Sequence, residues 1–326
     1  MKNIGNYLIA TAFAVAMAGT THAADYTLKL AHNGPEQHPF QDGAEALKAA
    51  VEKSTGGAVT VQIFPGEQLG TEEAASQMVK QGTIGCTIAS AGGGLAPFVP
   101  EADLLNLPFV FNDMDHFYRV VDGPVGERIA GKVEASLNAE VLGWWFAGIR
   151  NVWNGKRPVK SPDDLKGLKI RVMGSPVLID TFNALGAQAT PMSFGEVYTS
   201  LQQGVIDGAE SDHVDLLVEN FYEVTKYVSL TGHMYLAAAL VCSKSQIEKL
   251  PSDLQEKFRV AAATGTQAER EAMAGMTNDA LAQLKEKGLE FHEVDLTPFR
   301  EKVSIVYEKN AESVGGIAAI TELASQ

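Results

Sequence analysis

The apolar positions of this chain change period in a regular order. Residues 26–31 read as a first strand, and 41–54 carry a helical pattern that stops at Gly56-Gly57. Val59, Val61 and Ile63 alternate with polar residues in 58–64, a second strand, and Pro65-Gly66 turns the chain. Residues 71–81 return to a helical pattern, with Glu72 and Glu73 in the first turn, where the helix dipole favours them. Residues 84–90 form a third strand, closed by Gly92-Gly93-Gly94, which reads as a tight turn rather than a phosphate loop. Strand, helix, strand, helix, strand predicts right-handed crossovers and a parallel sheet.

The pattern then restarts. Residues 141–147 and 168–172 are strand-like, the second introduced by a turn at 162–167. Helices are expected over 176–185 and 194–203, followed by a short apolar stretch and turn at 205–208. Residues 228–242 are extended and apolar, as if the chain crosses back to its first half. Residues 252–287 lack proline and hold few β-branched residues; Ser252 with Gln255 predicts a capping box, and Gly288 ends the run. An unbroken helix there would be roughly 50 Å long, enough to lie across two small domains. A late strand is expected at 289–294. The fold class is therefore α/β, with two lobes and a cleft where the strands present their C-terminal loops.

The first residues change the setting. Lys2 precedes an apolar stretch at 8–19, and Thr21-His22-Ala23 offers small residues at a cleavage site. Residues 1–23 are thus expected to be a signal peptide, too short in its apolar part to be a spanning helix. The mature chain is expected to be soluble and periplasmic. The formal net charge is −14, and losing Lys2 leaves −15. Such a chain is a poor non-specific binder of nucleic acid, so no nucleic-acid partner is expected, and an anionic ligand must be drawn by a few local arginines. The two cysteines, Cys86 and Cys242, both lie in apolar runs without a CxxC motif. Two buried free thiols are expected ahead of a bridge.

HExxH, GxSxG and Walker motifs are absent, so no catalytic residue, metal or cofactor is assigned. The candidates for chemistry are arginines. Arg171 ends the 168–172 strand just before Gly174-Ser175-Pro176 opens a helix, where a guanidinium could hold a carboxylate bidentately beside free backbone N–H groups. Arg150 follows Trp144-Trp145-Phe146, a strand that should be buried, and a charge there needs a partner. Glu210, Ser211, Asp212 and His213 could bind ligand hydroxyls, cap a helix, or serve as acid and base. His32, Asn33 and Ser90 fall at strand ends, where a cleft would be.

Several ordered runs carry a resemblance. They are Phe64-Pro65-Gly66-Glu67-Gln68-Leu69-Gly70, Gly148-Ile149-Arg150, and Asp164-Leu165-Lys166-Gly167-Leu168-Lys169-Ile170-Arg171-Val172. They continue through Thr190-Pro191-Met192, Glu196-Val197-Tyr198 and Gly204-Val205-Ile206-Asp207-Gly208-Ala209-Glu210. Across the mature chain the sequence resembles the substrate-binding proteins of TRAP transporters, the tripartite ATP-independent periplasmic systems. The resemblance implies a two-lobed periplasmic binding protein with a lobe-spanning helix. Residues 24–147 with 237–276 are expected to form lobe I, and 148–236 with 277–326 lobe II. It also implies integral-membrane permease subunits as partners, a monomer, and no enzymatic activity. On the same resemblance Arg171 takes a substrate carboxylate, Arg150 assists, and Asn33 and Phe194 line the cleft. Sialate and C4-dicarboxylate members tend to carry Gln-Glu-Asn-Pro where this chain has Ala209-Glu210-Ser211-Asp212. Ser175 and Glu210 are also expected among the ligand-binding residues; with His32, Ser90, Ser211 and Asp212 suited to hydroxyls, the expected ligand is a hydroxylated monocarboxylate such as an aldonate or uronate. The alternatives are a C4-dicarboxylate binder, a periplasmic sugar-acid enzyme, a sensory module and a cation-assisted site.

Overall fold

In a computed structural model the described residues are 24–326, so the expected signal peptide at 1–23 lies outside them. The chain begins with β1 (Tyr26–Ala31), α1 (Pro39–Thr55), β2 (Val59–Phe64), α2 (Glu72–Lys80) and β3 (Cys86–Ser90). β1 pairs in parallel with β2 on one side and β3 on the other, the crossover unit that the periodicity demands. Thr71 caps α2, its hydroxyl accepting from Ala74 N at 3.2 Å.

Residues 91–95 depart from the expected turn and form one π-helical turn, capped by Ser90. A Cβ on Gly93 would collide with Glu72 Oε2, so glycine lets this backbone close over that carboxylate. A 3₁₀ segment, Pro100–Asn106, leads to α3 (Met114–Val121) and α4 (Pro124–Leu137), in a stretch for which no element is expected from the sequence.

β4 (Ala139–Asn154) runs well past residue 147, through Arg150. Then come β5 (Lys169–Val172), α5 (Pro176–Ala184), β6 (Gln188–Pro191), α6 (Val197–Gln202), β7 (Gly208–Ser211) and α7 (His213–Val218). Residues 194–196 form a separate 3₁₀ turn before α6. β5 pairs in parallel with both β6 and β7, repeating the first unit.

β8 (Tyr227–Ser243) returns antiparallel to β3 and β4. The sheet order is β2-β1-β3-β8-β4-β7-β5-β6, so two parallel units flank an antiparallel pair of long crossing strands. At about 3.3 Å per residue each crossing strand spans roughly 55 Å, long enough to serve both halves. The β4–β8 register shifts between Phe146 and Ile149, where Gly148 holds φ 87°. A Cβ on Gly148 would collide with the Asp212 side chain.

After α8 (Lys244–Ile247), α9 (Ser252–Glu286) is one unbroken 35-residue helix. Its capping box does not form: Pro251 takes the cap position, and Gln255 turns back to donate to Leu250 O at 2.8 Å. β9 (Glu290–Glu293) joins β8 in parallel, and α10 (Thr297–Asn310) and α11 (Ile317–Ala324) close the chain. Among the described residues no helix is long and apolar enough to cross a membrane.

Two apolar cores result. The larger runs from the first unit across the crossing strands to α5; the smaller gathers Trp153, Val197, Leu201, Leu216 and Phe221 under α6 and α7. The free-thiol expectation is corrected here. Cys86 and Cys242 stand opposite each other on β3 and β8 and form a disulfide, with Cα atoms 4.0 Å apart and S–S 2.06 Å. Each cysteine read singly is a small apolar residue; only strand pairing puts the two sulfurs together.

Candidate ligand-binding site

The strands of both parallel units end toward one cleft. A cavity of about 370 Å³ there is lined by Glu67, Glu72, Gly93, Arg171, Met173 and Phe194, among others. It continues inward to a smaller space of about 30 Å³ that shares Glu72, Arg171, Met173 and Phe194 and adds Asn33, His38, Ser90, Arg150 and Asp215.

Arg171 leaves the end of β5 and is only 3 % exposed. Its Nε and Nη2 donate to Met192 O at 3.0 and 2.8 Å. No hydrogen bond engages its Nη1 among the described residues, and no carboxylate lies within ion-pair distance of the guanidinium. Burial lowers its pKa, with the more distant Glu210 acting against that. Its guanidinium carbon stands over the face of the Phe194 ring, 5.7 Å from the ring centroid. A buried cation without a counter-ion is costly, and an anion in the cleft would relieve that cost.

Arg150 is the opposite case. Nε donates to Glu210 Oε2 at 2.9 Å, and Nη1 to Asp215 Oδ2 at 3.0 Å and Asp212 Oδ2 at 3.4 Å. Nη2 donates to Glu210 O at 2.7 Å and Oε1 at 3.4 Å. A guanidinium has five N–H groups, and all five are engaged. Burial opposes ionisation of Glu210, yet Arg150 holds its pKa down at about 2. Burial likewise opposes ionisation of Asp215, but His38 and Arg150 keep its pKa below the usual range. Burial and the charge of Asp215 push Asp212 well above that range. His38 Nε2 lies 3.5 Å from Asp215 Oδ1.

Glu72 faces both spaces. Its carboxylate accepts from Ser90 N at 2.9 Å and Ser90 Oγ at 2.7 Å. Burial pushes its pKa up, against those two bonds and the charge of Arg171. Ser90 Oγ also accepts from Gly93 N at 3.0 Å, so the hydroxyl ties β3, α2 and the π turn together.

The sequence candidates therefore divide. Arg171, Arg150, Asn33, Ser90 and Phe194 meet at the cleft. Glu210, Ser211 and Asp212 lie behind Arg150, not on the cavity wall: Ser211 Oγ accepts from Trp153 Nε1 at 3.0 Å, and Asp212 caps α7 through Val214 N at 2.7 Å. Ser175 is fully buried; its hydroxyl donates to Asp103 at 2.6 Å and caps α5. His32 is buried beside the cleft, 2.9 Å from Gln41 Oε1, with burial lowering its pKa to about 4. Burial takes His213 to about 4 as well, and it too is absent from the cavity wall.

Sequence reasoning missed Glu72, His38, Glu67 and Asp215. In sequence Glu72 is one of two first-turn glutamates, and nothing local separates it from Glu73. Asp215 and His38 have no motif; 177 residues apart, they meet only because α7 packs beside the start of α1.

Three comparisons bear on this geometry. Residues 30–313 match the model of bacterial extracellular solute-binding protein family 7. The 2,3-diketo-L-gulonate-binding periplasmic protein YiaO of Escherichia coli K12 is 32 % identical over 85 % of this chain and 84 % of its own. A TRAP periplasmic solute-binding protein of Polaromonas sp. JS666, solved bound to D-erythronate, is 33 % identical with a TM-score of 0.88, covering 92 % of this chain and 98 % of its own. A similar protein of Sulfurospirillum deleyianum, solved with succinate, gives 32 % and 0.88 at the same coverage.

Proposed function

Because the chain belongs to bacterial extracellular solute-binding protein family 7, we propose that it captures a hydroxylated monocarboxylate, an aldonate or uronate, between its two lobes. As a member of that family it is the periplasmic solute-binding component of a TRAP transporter, and it delivers its ligand to membrane permease subunits. Arg171 pairs with the ligand carboxylate. Asn33, Ser90, Glu72 and His38 meet ligand hydroxyls, and Phe194 covers the carboxylate end. Arg150 acts through the wall it builds, since its N–H groups and its charge are already engaged by Glu210 and Asp215. The lobes are 24–147 with 237–276 and 148–236 with 277–326, and closure is driven by the ligand's contacts to both.

The single observation that carries this reading is Arg171: a buried guanidinium without a counter-ion on the wall of a cavity of about 370 Å³. One such cation calls for one carboxylate. A second ligand carboxylate would meet Glu67, Glu72 and Glu73 on the same wall. The sugar acids in the names of YiaO and the Polaromonas protein support the class, whereas the succinate of the Sulfurospirillum protein keeps the C4-dicarboxylate alternative in view. Glu210, Asp212 and His213, the acid–base candidates of the sequence, are absent from the cavity wall, which argues against acid–base catalysis by them.

The test is a thermal-shift panel on protein unfolded and refolded to strip any carried ligand. The panel holds aldonates, uronates, C4-dicarboxylates and neutral sugars, and spent mixtures are checked for product. A ligand at 100 times its Kd stabilises by about 2.7 kcal/mol. Stabilisation by sugar acids alone is expected. A response confined to dicarboxylates would sink the ligand reading, and product formation would replace it with an enzyme.

A further inference from the structure

The two lobes touch across the mouth of the cavity at a point that the ligand reading does not require. Glu67 sits in the loop between β2 and α2, and its own N–H donates to His32 O at 3.2 Å, which fixes it to the first lobe. Its carboxylate reaches across the cleft, and Oε2 accepts from Gly195 N at 3.2 Å. Gly195 lies in the 3₁₀ turn Phe194–Glu196, whose first N–H groups have no partner within the turn itself. Glu67 thus supplies from one lobe the acceptor that a helical turn of the other lacks.

Two further features select this contact. Glu67 holds φ 57°, a left-handed conformation that is uncommon for a residue with a side chain. A tight turn imposes it: Gly66 holds φ 58° and Gln68 N donates to Pro65 O at 3.2 Å, and the same turn presents the Glu67 side chain to the cleft. Gly195 has no positive φ, so its backbone tolerates any residue. A Cβ there would nevertheless stand 2.5 Å from Glu67 Oε2, so the carboxylate occupies the space that a methyl would take. Glycine at 195 is required by the cross-cleft contact and not by the local fold. Its neighbour Phe194 covers Arg171, so holding this turn also holds the lid over the cation.

We propose that the Glu67 carboxylate and the Gly195 N–H form a latch that holds the lobes shut over the cavity, with Glu67 a positioning residue rather than the ligand's main partner. The latch rests on the two-lobe binding reading but not on the identity of the ligand. One bond to a half-buried carboxylate changes an equilibrium by about threefold to tenfold.

The experiment measures lobe separation by electron–electron distance spectroscopy on the full mature chain. Spin labels are placed at Gln62→Cys on β2 and Gln188→Cys on β6, exposed positions at opposite sheet edges; the native cysteines are bonded to each other and leave these sites specific. Each protein is measured alone and with 10 mM D-glucuronate as the probe. Gly195→Ala and Glu67→Ala are each expected to lower the closed-to-open ratio about threefold to tenfold. The double variant is expected to be no more open than the worse single one, because both remove one bond. Glu67→Gln keeps an acceptor and is expected to restore part of the closed population. Circular dichroism confirms that each variant is folded; Gly195→Ala, at an exposed turn, keeps the test alive if Glu67→Ala is not. Distributions unchanged in both single variants, effects that add fully, or a wild type with no closed population in either arm overturn the latch. If glucuronate leaves the wild type unmoved while Gly195→Ala still opens the resting protein, the latch stands and the uronate reading fails.

Discussion

Replacing Arg171 by Met separates binding from stability, and the two effects should have opposite signs. In the unliganded chain the substitution removes two hydrogen bonds to Met192 O, worth about 1 kcal/mol each. It also removes a buried cation without a counter-ion, whose desolvation costs several kcal/mol. Met reproduces the Arg stem as far as Nε, without the guanidinium head, and suits the apolar side of the site beside Met173 and Phe194. The unliganded variant should therefore be as stable as the wild type or more so. On the proposed reading, the ligand carboxylate loses the one arginine on the cavity wall that has no counter-ion among the described residues. Truncating one partner of a buried charge pair costs about 2–5 kcal/mol, a loss of roughly 30-fold to several thousand-fold in affinity. Isothermal titration with the strongest sugar acid of the panel gives the affinity, and urea unfolding of stripped protein gives the stability. An affinity within threefold of wild type refutes the assignment of Arg171. A stability loss above about 3 kcal/mol refutes the argument that its charge is uncompensated.

Arg150→Met should behave in the reverse way. It leaves Glu210 and Asp215 buried without their cation, so unfolding should become easier by about 3–5 kcal/mol even without ligand; an unchanged urea midpoint would contradict the network described. Glu269, in the middle of α9, accepts from Phe146 N at 3.1 Å while its Oε1 has no partner, and burial pushes its pKa up to about 8. The folded state therefore binds this proton more tightly than the unfolded state does. Stability from this group is fully present below the ordinary glutamate range, near 4.5, and is lost as pH rises through about 8. Glu269→Gln should flatten the fall in melting temperature between pH 5 and 8, and an equally steep profile in the variant would count against it.

Particular residues show how far the sequence reached. The alternation at Val59, Val61 and Ile63, and the helical runs between such strands, specify the two parallel units, because side-chain period follows directly from backbone geometry. The long helix was legible from 36 residues free of proline, to within one residue of its end. Its cap was not, because Ser252 became the first helical residue and Pro251 took the cap. Arg171 was legible as a strand-end cation before a helix. Arg150 was legible as a charge in an apolar strand, but not as a saturated one, since its partners at 210, 212 and 215 belong to β7 and α7.

By itself the sequence determined the α/β class, the repeated unit, the family and the arginine that faces the cleft, because periodicity, punctuation and ordered motifs are local properties. The tertiary structure alone decided that Cys86 meets Cys242, that Arg150 is neutralised while Arg171 is not, and that Glu72 and Glu67 face the cavity. Those outcomes depend on which strands pair and which helices cross the cleft. Charge compensation is a distance between side chains far apart in the chain, and no spacing along the sequence encodes it.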